Sequence, residues 1–149
     1  MTLGEIQARV RKALEIFFVN DRALLARDAS ERTIAARLTL YVVPLFKHYD
    51  VDPEYNRHGL DPKAVELPNE CREGGKKLIV PDIVLHRRGN DDDNLLVIEM
   101  KKQNNHESRD CDRAKILAMK RELSYRHGLI IDWPVGSDAE LANLREEWL

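Results

Sequence analysis

Two short runs of apolar residues, 78–85 and 95–100, constrain the fold of this chain more than any other feature of its sequence. Both are rich in valine, isoleucine and leucine, and glycine, asparagine and aspartate residues separate them at 89–94. Runs of this length between turn-forming residues are typical of buried strands. The sequence therefore predicts a hairpin with a polar tip. The tip, Asp91–Asp93, lacks the ligand spacing of a calcium loop, so we expect it to be solvated.

Three charged residues interrupt these apolar runs. Asp82 lies in the first, and Glu99 and Lys101 lie at the end of the second. Side chains alternate along a strand, so Glu99 and Lys101 project to one side, and the neighbouring strand can bring Asp82 there. Two converging carboxylates repel one another, and a hard cation such as Mg²⁺ relieves that repulsion. The pattern predicts a cation site, and a surface ion pair among the three residues is the alternative interpretation.

Pro81-Asp82 and Glu99-Met100-Lys101 resemble the signature of the PD-(D/E)XK phosphodiesterase superfamily. That signature is Pro-Asp on one strand and Glu-x-Lys on the next. The resemblance implies an α/β, restriction-endonuclease-like fold with an αβββαβ core, in which helices flank a central mixed sheet. The predicted elements follow this order: helix 30–46, strand 49–57, the hairpin, helix 108–124 and strand 125–133. We expect one domain over residues 1–149, with its core at roughly 20–133 and flanking helices at 1–18 and 137–148.

The resemblance also implies a metal-dependent nuclease that leaves a 5′-phosphate and a 3′-hydroxyl. Mg²⁺ or Mn²⁺ would be held by Asp82, Glu99, the Met100 carbonyl and Glu31, while Lys101 positions the attacking water. Glu31 lies at the end of the apolar stripe of its predicted helix, which favours a site facing the sheet. A first-turn acid that only complements the helix dipole is the alternative interpretation for Glu31.

Three basic residues are candidate nucleic-acid contacts. In the superfamily, a basic residue on the helix after Glu-x-Lys leans toward the phosphate, and Lys115 matches that place. Arg57 and Lys102 belong to further basic patches near the predicted site. A solvated helix charge at Lys115 and a surface pair of Glu54 with Arg57 are the alternatives. Because the net charge is −2 and the pI is about 6.2, any contact with nucleic acid must be made by local basic groups. The resemblance implies DNA rather than RNA as the partner.

The whole chain of 149 residues, 43% of them hydrophobic, is sized for one core. The sequence has no apolar run long enough for a membrane span, and helix 1–18 lacks a signal-peptide pattern, so we expect a cytoplasmic protein without a membrane partner. Cys71 and Cys111 have no CxxC spacing and are expected to be reduced thiols. The segment 60–77 is predicted to be a loop with one helical turn at 62–66. His86 shares strand parity with Asp82 and is expected to face the site.

Two classes of function remain open from the sequence. The first is the metal-dependent nuclease, of which a dimeric junction-resolving enzyme is one form. The second is a catalytically inert module of the same fold that binds nucleic acid or assembles with other proteins. A lone core of this size would obtain specificity from a homodimer, from a protein partner or from the structure of the nucleic acid. The intact Asp82, Glu99 and Lys101 favour the nuclease, because an assembly role gives no reason to keep a like-charged pair.

Overall fold

A computed structural model describes residues 1–58, 61–71 and 78–149 as a twisted sheet with helices on both faces. The helices are α1 (Leu3–Ala26), α2 (Glu31–Val42) and α3 (Asp110–Leu123). The strands are β1 (Asp50–Pro53), β2 (Arg57–His58), β3 (Asp61–Pro62), β4 (Ile83–His86), β5 (Leu96–Lys102), β6 (His127–Trp133) and β7 (Arg145–Trp148). Helices α1 and α2 pack on one face of the sheet, and α3 packs on the other.

The main sheet has five strands in the order β1-β4-β5-β6-β7. β1, β4 and β5 form an antiparallel meander, and β6 lies parallel to β5 after the crossover through α3. β7 then adds antiparallel to β6, while β2 and β3 form a separate two-stranded ribbon. The predicted α/β class, with a mixed sheet flanked by helices, is therefore confirmed.

Capping residues and prolines set the helix boundaries. Thr2 and Glu5 form a reciprocal capping box at the start of α1, and the Ser30 hydroxyl accepts a hydrogen bond from the Thr33 amide at the start of α2. α2 ends earlier than predicted because Pro44 lies in the 3₁₀ turn Val43–Leu45 that follows it. α1 is longer than predicted. In the described part of the chain, no helix is both long and apolar enough to cross a membrane.

Aromatic rings join the first helix to the far end of the chain. The rings of Phe17 and Phe18 lie 4.8 Å and 6.1 Å from that of Trp133, measured between centroids. Beside them, Arg22 donates hydrogen bonds to the Ala139 carbonyl at 2.5 Å and to the Glu140 carboxylate at 2.6 Å. Burial of these large side chains makes this contact a main part of the core.

Gly128 marks the closest approach of β6 to α3. A Cβ atom at this position would lie 2.1 Å from Cγ2 of the fully buried Ile116. Ile116 is β-branched and enclosed, so it cannot turn aside. We expect Gly128→Ala to lower the free energy of unfolding by about 2 kcal/mol, measured by urea denaturation.

Gly4→Ala is the matched control for this substitution. A Cβ at Gly4 meets nothing closer than 4.0 Å, and the residue lies in the first turn of α1. Alanine is the better helix former, so stability should stay equal or rise slightly. Equal urea midpoints for Gly128→Ala and the wild type would contradict the close packing described here.

The predicted C-terminal helix at 137–148 is wrong. The chain instead forms two 3₁₀ turns, Gly136–Asp138 and Leu141–Asn143, and then strand β7. β7 covers the edge of β6, which would otherwise expose unpaired backbone groups. Leu149 extends this pairing, since its amide and carbonyl each bond to Gly128 at 2.9 Å. The backbone hydrogen bonds gained by pairing β7 with β6 stabilise the strand more than local helix propensity stabilises a helix over residues 137–148.

The helical turn predicted at 62–66 is also wrong. Ala64 forms an antiparallel bridge with Leu78, and the Ile79 amide donates to the Lys63 carbonyl at 3.0 Å. Val65 and Leu67 are buried against the α3 side of the sheet. Residues 59–60 and 72–77 of the predicted loop lie outside the described residues. The described part of this segment therefore packs against the α3 side of the sheet and is called here the covering segment.

The expectation of reduced cysteines is contradicted. Cys71 and Cys111 form a disulfide, with their Cα atoms 5.2 Å apart. The 3₁₀ turn Asn69–Cys71 lies against the first turn of α3, which carries Cys111. A separation of 40 residues in sequence hides this proximity, which only the packing of the covering segment on α3 creates.

Candidate functional site

Asp82 and Glu99 meet where β4 begins. Asp82 lies one residue before β4, not within a strand as predicted, and its Oδ2 accepts a hydrogen bond from the Met100 amide at 2.8 Å. Its own carbonyl accepts one from the Glu54 amide at 3.0 Å. Because Ile83 pairs with Ile98, the next position along the register brings Asp82 opposite Glu99. The two strands thus deliver two carboxylates to one side of the sheet.

Glu99 is buried beneath α3. Its side chain is only 4% exposed, and its Oε2 lies 2.9 Å from the Lys115 ammonium. The structure thus places Lys115 against the site and not in solvent. The other carboxylate oxygen, Oε1, is buried and accepts no hydrogen bond from the described residues. A buried oxygen without a partner is costly, so this atom is suited to a ligand.

The surroundings oppose ionisation of both carboxyl groups. Burial raises the pKa of Glu99 to about 8, and the charges of Asp82 and Asp112 add to this, against the attraction of Lys115. Burial likewise raises the pKa of Asp82, which the Met100 amide, Lys115 and a side-chain hydrogen bond with Glu99 oppose and Glu31 reinforces. Burial lowers the pKa of Lys115, but Glu99, Asp82 and Asp112 outweigh it, so the net direction is upward. A bound cation would favour the ionised carboxylates.

Lys101 is held by an acid to which the sequence analysis assigns no role. Its ammonium lies 3.3 Å from Asp112 Oδ2 and 3.9 Å from the exposed carboxylate of Glu107. The side chains of Lys101 and Asp112 are both largely buried. Asp112 and Lys115 stand three residues apart on α3, so they share the helix face toward β5. The three-residue spacing of Asp112 and Lys115, beside the buried apolar positions of α3, is the sequence feature that could have identified Asp112 as a site residue.

Glu31 approaches the site from the other side. It is the first residue of α2, with Ser30 as the cap, and it lines a cavity of about 320 Å³ together with Asp82 and Glu54. Its charge reinforces the raised pKa of Asp82. The structure therefore brings Glu31 near Asp82. Glu31 is also in the first turn of α2, where a negative charge complements the helix dipole, so both interpretations of this residue fit its position.

Lys102 lies apart from this group. Its ammonium is 2.9 Å from Asp28 Oδ1 and 3.2 Å from the Ala29 carbonyl, in the loop between α1 and α2. Since successive side chains of a strand point to opposite faces, Lys102 is on the other face of β5 from Lys101. Its observed contacts tie a loop to the sheet.

Arg57 and His86 lie toward the opposite end of β4 from Asp82. Arg57 is in the small β2–β3 ribbon and lines a narrow cavity with His86. His86 does not face the site as expected, because its Nε2 hydrogen-bonds with Asp52 at 2.9 Å and its ring packs on Tyr55. The surface pair considered for Glu54 and Arg57 is replaced by a 3.2 Å pair of Glu54 with Arg32.

The donor atoms at the site fit a cation that takes few protein ligands. Across residues 1–58, 61–71 and 78–149, no three His, Cys, Asp or Glu side chains group closely enough to hold a metal ion alone. Asp82 and Glu99 nevertheless offer carboxylate oxygens. The amide and carbonyl of a strand residue point to the same side, so the Met100 carbonyl faces Asp82, while its side chain is buried in the core. Mg²⁺ is commonly bound by one or two carboxylates and several waters.

The chain was compared with protein-family models, with curated proteins and with solved structures, and none of the three gave a match. The resemblance to the PD-(D/E)XK superfamily therefore depends on the Pro-Asp and Glu-x-Lys residues themselves.

Proposed function

We propose that this chain is a metal-dependent nuclease of the PD-(D/E)XK type, which hydrolyses phosphodiester bonds of nucleic acid, with DNA as the favoured substrate. The single observation that carries the proposal is the buried pair of Asp82 and Glu99, with Glu99 Oε1 accepting no hydrogen bond from a donor among the described residues. Burying two like charges together is unfavourable without a cation or a proton. The observed order of helix, three-stranded meander, helix and parallel strand supports the restriction-endonuclease-like fold.

The residues divide into a cation-binding half and a phosphate-facing half. Asp82, Glu99 and the Met100 carbonyl would hold Mg²⁺ or Mn²⁺, with Glu31 close to Asp82. When bound, the ion supplies charge neutralisation, polarises the phosphate and makes a water molecule more acidic.

Two lysines form the phosphate-facing half. The Lys101 ammonium, kept in place by Asp112, orients the attacking water and offsets the negative charge that develops on the phosphate oxygens. Lys115 lies 2.9 Å from Glu99 and lines the same cavity as Lys101, so it adds positive potential where a phosphate would enter. Both ammonium groups are largely buried, so their charges are less screened by solvent than those of surface lysines.

One observation favours the inert module as the second candidate. Lys115 already gives Glu99 a counter-charge within the protein, and Lys101 is paired with Asp112. Two acids and two bases thus balance without any bound ion, so a purely structural polar cluster is physically consistent. Asp82 and Glu31 are the two acids of the site that this pairing does not include.

A cleavage assay separates the two candidates. We would incubate the protein with single-stranded, duplex and branched DNA and with RNA, in Mg²⁺, Mn²⁺ or EDTA, beside Asp82→Asn. The wild type should cut in the presence of metal and leave 5′-phosphate ends. Asp82→Asn keeps an oxygen for the Met100 amide but loses the charge, so the rate should fall by about a thousandfold.

The opposite result is equally informative. If the wild type cuts none of these substrates, and titration calorimetry detects no Mg²⁺ binding, the nuclease assignment fails and the inert module is supported. Circular dichroism of Asp82→Asn serves as the control that its fold is retained.

A further inference from the structure

A cavity of about 600 Å³, called here the recess, opens beside the two lysines of the site. Its polar wall carries two lysines, three acids and a serine: Lys101, Lys115, Glu70, Glu107, Asp112 and Ser108. Its apolar wall consists of Leu67, Leu78, Ile79, Val80 and the disulfide between Cys71 and Cys111. A cavity of about 300–1,000 Å³ with an apolar lining and a few polar groups is typical of sites for small organic ligands.

The apolar wall contains two large side chains that the core does not use. Leu78 is 55% exposed and Val80 is 47% exposed, whereas Ile79 between them is 4% exposed. In extended backbone, alternate residues point in opposite directions, so Leu78 and Val80 share the side away from the core. Both line the recess, so together they offer an apolar surface opposite the lysines.

The polar wall holds two positive charges side by side. Lys101 and Lys115 would repel each other if left alone in a largely buried position. Asp112 offsets this repulsion, since it lies 3.3 Å from Lys101 and its charge also attracts Lys115. Two fixed ammonium groups that line one recess are suited to a phosphate.

We propose that the recess binds one unpaired nucleotide of the substrate strand, with its base against Leu78 and Val80 and its phosphate at Lys101 and Lys115. The chain is therefore specific for single-stranded or locally unpaired nucleic acid. This inference rests on the proposed function, because it names the substrate class of the same site.

Burial of the reactive groups is the main argument against a duplex substrate. In a duplex the bases are stacked inside, and a protein reaches a whole base only after taking it out of the stack. The Glu99 side chain is 4% exposed, and Lys101 is largely buried at the base of the recess. Single-strand binders combine basic groups that hold the phosphate backbone with a surface on which bases pack, and the recess contains two ammonium groups and an apolar surface.

Binding in EDTA tests this inference without cleavage. We would measure fluorescence anisotropy with a short labelled DNA oligonucleotide, either alone or annealed to its complement. The single strand should bind at least about tenfold more tightly than the duplex. The double variant Leu78→Ser, Val80→Ser should weaken single-strand binding by about fivefold or more and leave duplex binding unchanged.

Leu40→Ser is the matched control. Leu40 is also 55% exposed but lies on α2, on the opposite side of the sheet from the recess. It should leave both affinities unchanged. All three substitutions are at exposed side chains, so the fold should be retained. The inference is overturned if the duplex binds as tightly as the single strand, or if the double variant binds like Leu40→Ser.

Adding Mg²⁺ to the same samples distinguishes this inference from the proposed function. If the wild type cuts duplex and single strand at equal rates, the recess assignment fails while the nuclease assignment stands. If single-strand binding depends on Leu78 and Val80 but nothing is cut, the recess assignment stands and the nuclease assignment fails.

Discussion

Replacing Lys101 by methionine should lower the rate of metal-dependent phosphodiester hydrolysis by about a thousandfold, because the ammonium that orients the attacking water and offsets charge on the phosphate oxygens is lost. Methionine keeps most of the length and apolar stem of the side chain, so the loss reports on the ammonium. Single-turnover rates, measured with enzyme in excess over labelled DNA, separate this step from product release. The binding of metal ion should be retained, since Asp82 and Glu99 are unchanged.

Lys102→Met is the control that the chain itself offers. The two lysines are consecutive, yet Lys102 points to the opposite face and pairs with Asp28. Its substitution should change the rate by no more than about threefold, the effect of losing one partly exposed ion pair. Equal losses in both variants would indicate a general electrostatic effect or damage to β5, and would contradict a specific role for Lys101.

Glu99→Gln should change how the stability of the metal-free protein depends on pH. The pKa of Glu99 is raised from 4.5 to about 8 in the folded protein by burial. Between those two values the folded state holds a proton that the unfolded state has released, so the free energy of unfolding falls as pH rises. The slope approaches about 1.4 kcal/mol per pH unit and ends above pH 8. Glutamine cannot titrate, so the variant should lack this slope.

The comparison of wild type and variant separates the cluster of Glu99 with Asp82 and Lys115 from titrating groups elsewhere in the protein. Burial lowers the pKa of His86 and of His127, which gives the opposite slope below their ordinary value of 6.5, and both residues remain in the variant. Urea denaturation at several pH values between 5 and 8, in EDTA, provides the measurement. Parallel stability curves for the two proteins would refute the buried, protonated state of Glu99.

The strand pattern of the sequence predicted the centre of the fold because it needs only local information. An apolar run that contains Ile83 and another that contains Ile98 cannot be exposed, and the short polar connection between them requires an antiparallel pair. That pairing brings Asp82 beside Glu99, and strand alternation places Lys101 on the same side. The convergence of these three residues was therefore open to prediction.

The partners of these residues were not open to prediction, because they come from elements distant in sequence. Asp112 is an ordinary first-turn acid until α3 crosses over β5 and presents it to Lys101. Lys102 is indistinguishable from Lys101 in composition, and only the loop that carries Asp28 gives it a structural partner. The pairing of Cys71 with Cys111 likewise depends on how the covering segment packs on α3.

The C-terminal strand shows a different kind of failure. Residues 137–148 contain a plausible cap and enough helix-forming residues to favour a helix. Strand β6, however, has one edge that would stay open, and pairing with β7 satisfies its backbone groups along four residues. The hydrogen bonds that these residues form with β6 in the folded protein then outweigh their weak local preference for a helix.

The contact of Phe17 and Phe18 with Trp133 has a consequence for how the chain is made in the cell. These rings are far apart in sequence, so α1 leaves the ribosome long before the residue that covers it. Exposed apolar surface on a nascent chain promotes association with other chains. We expect α1 to need shielding by a chaperone until Trp133 has been synthesised, and a slow stretch of codons just before Trp133 to lower the yield of folded protein more than the same stretch placed after it.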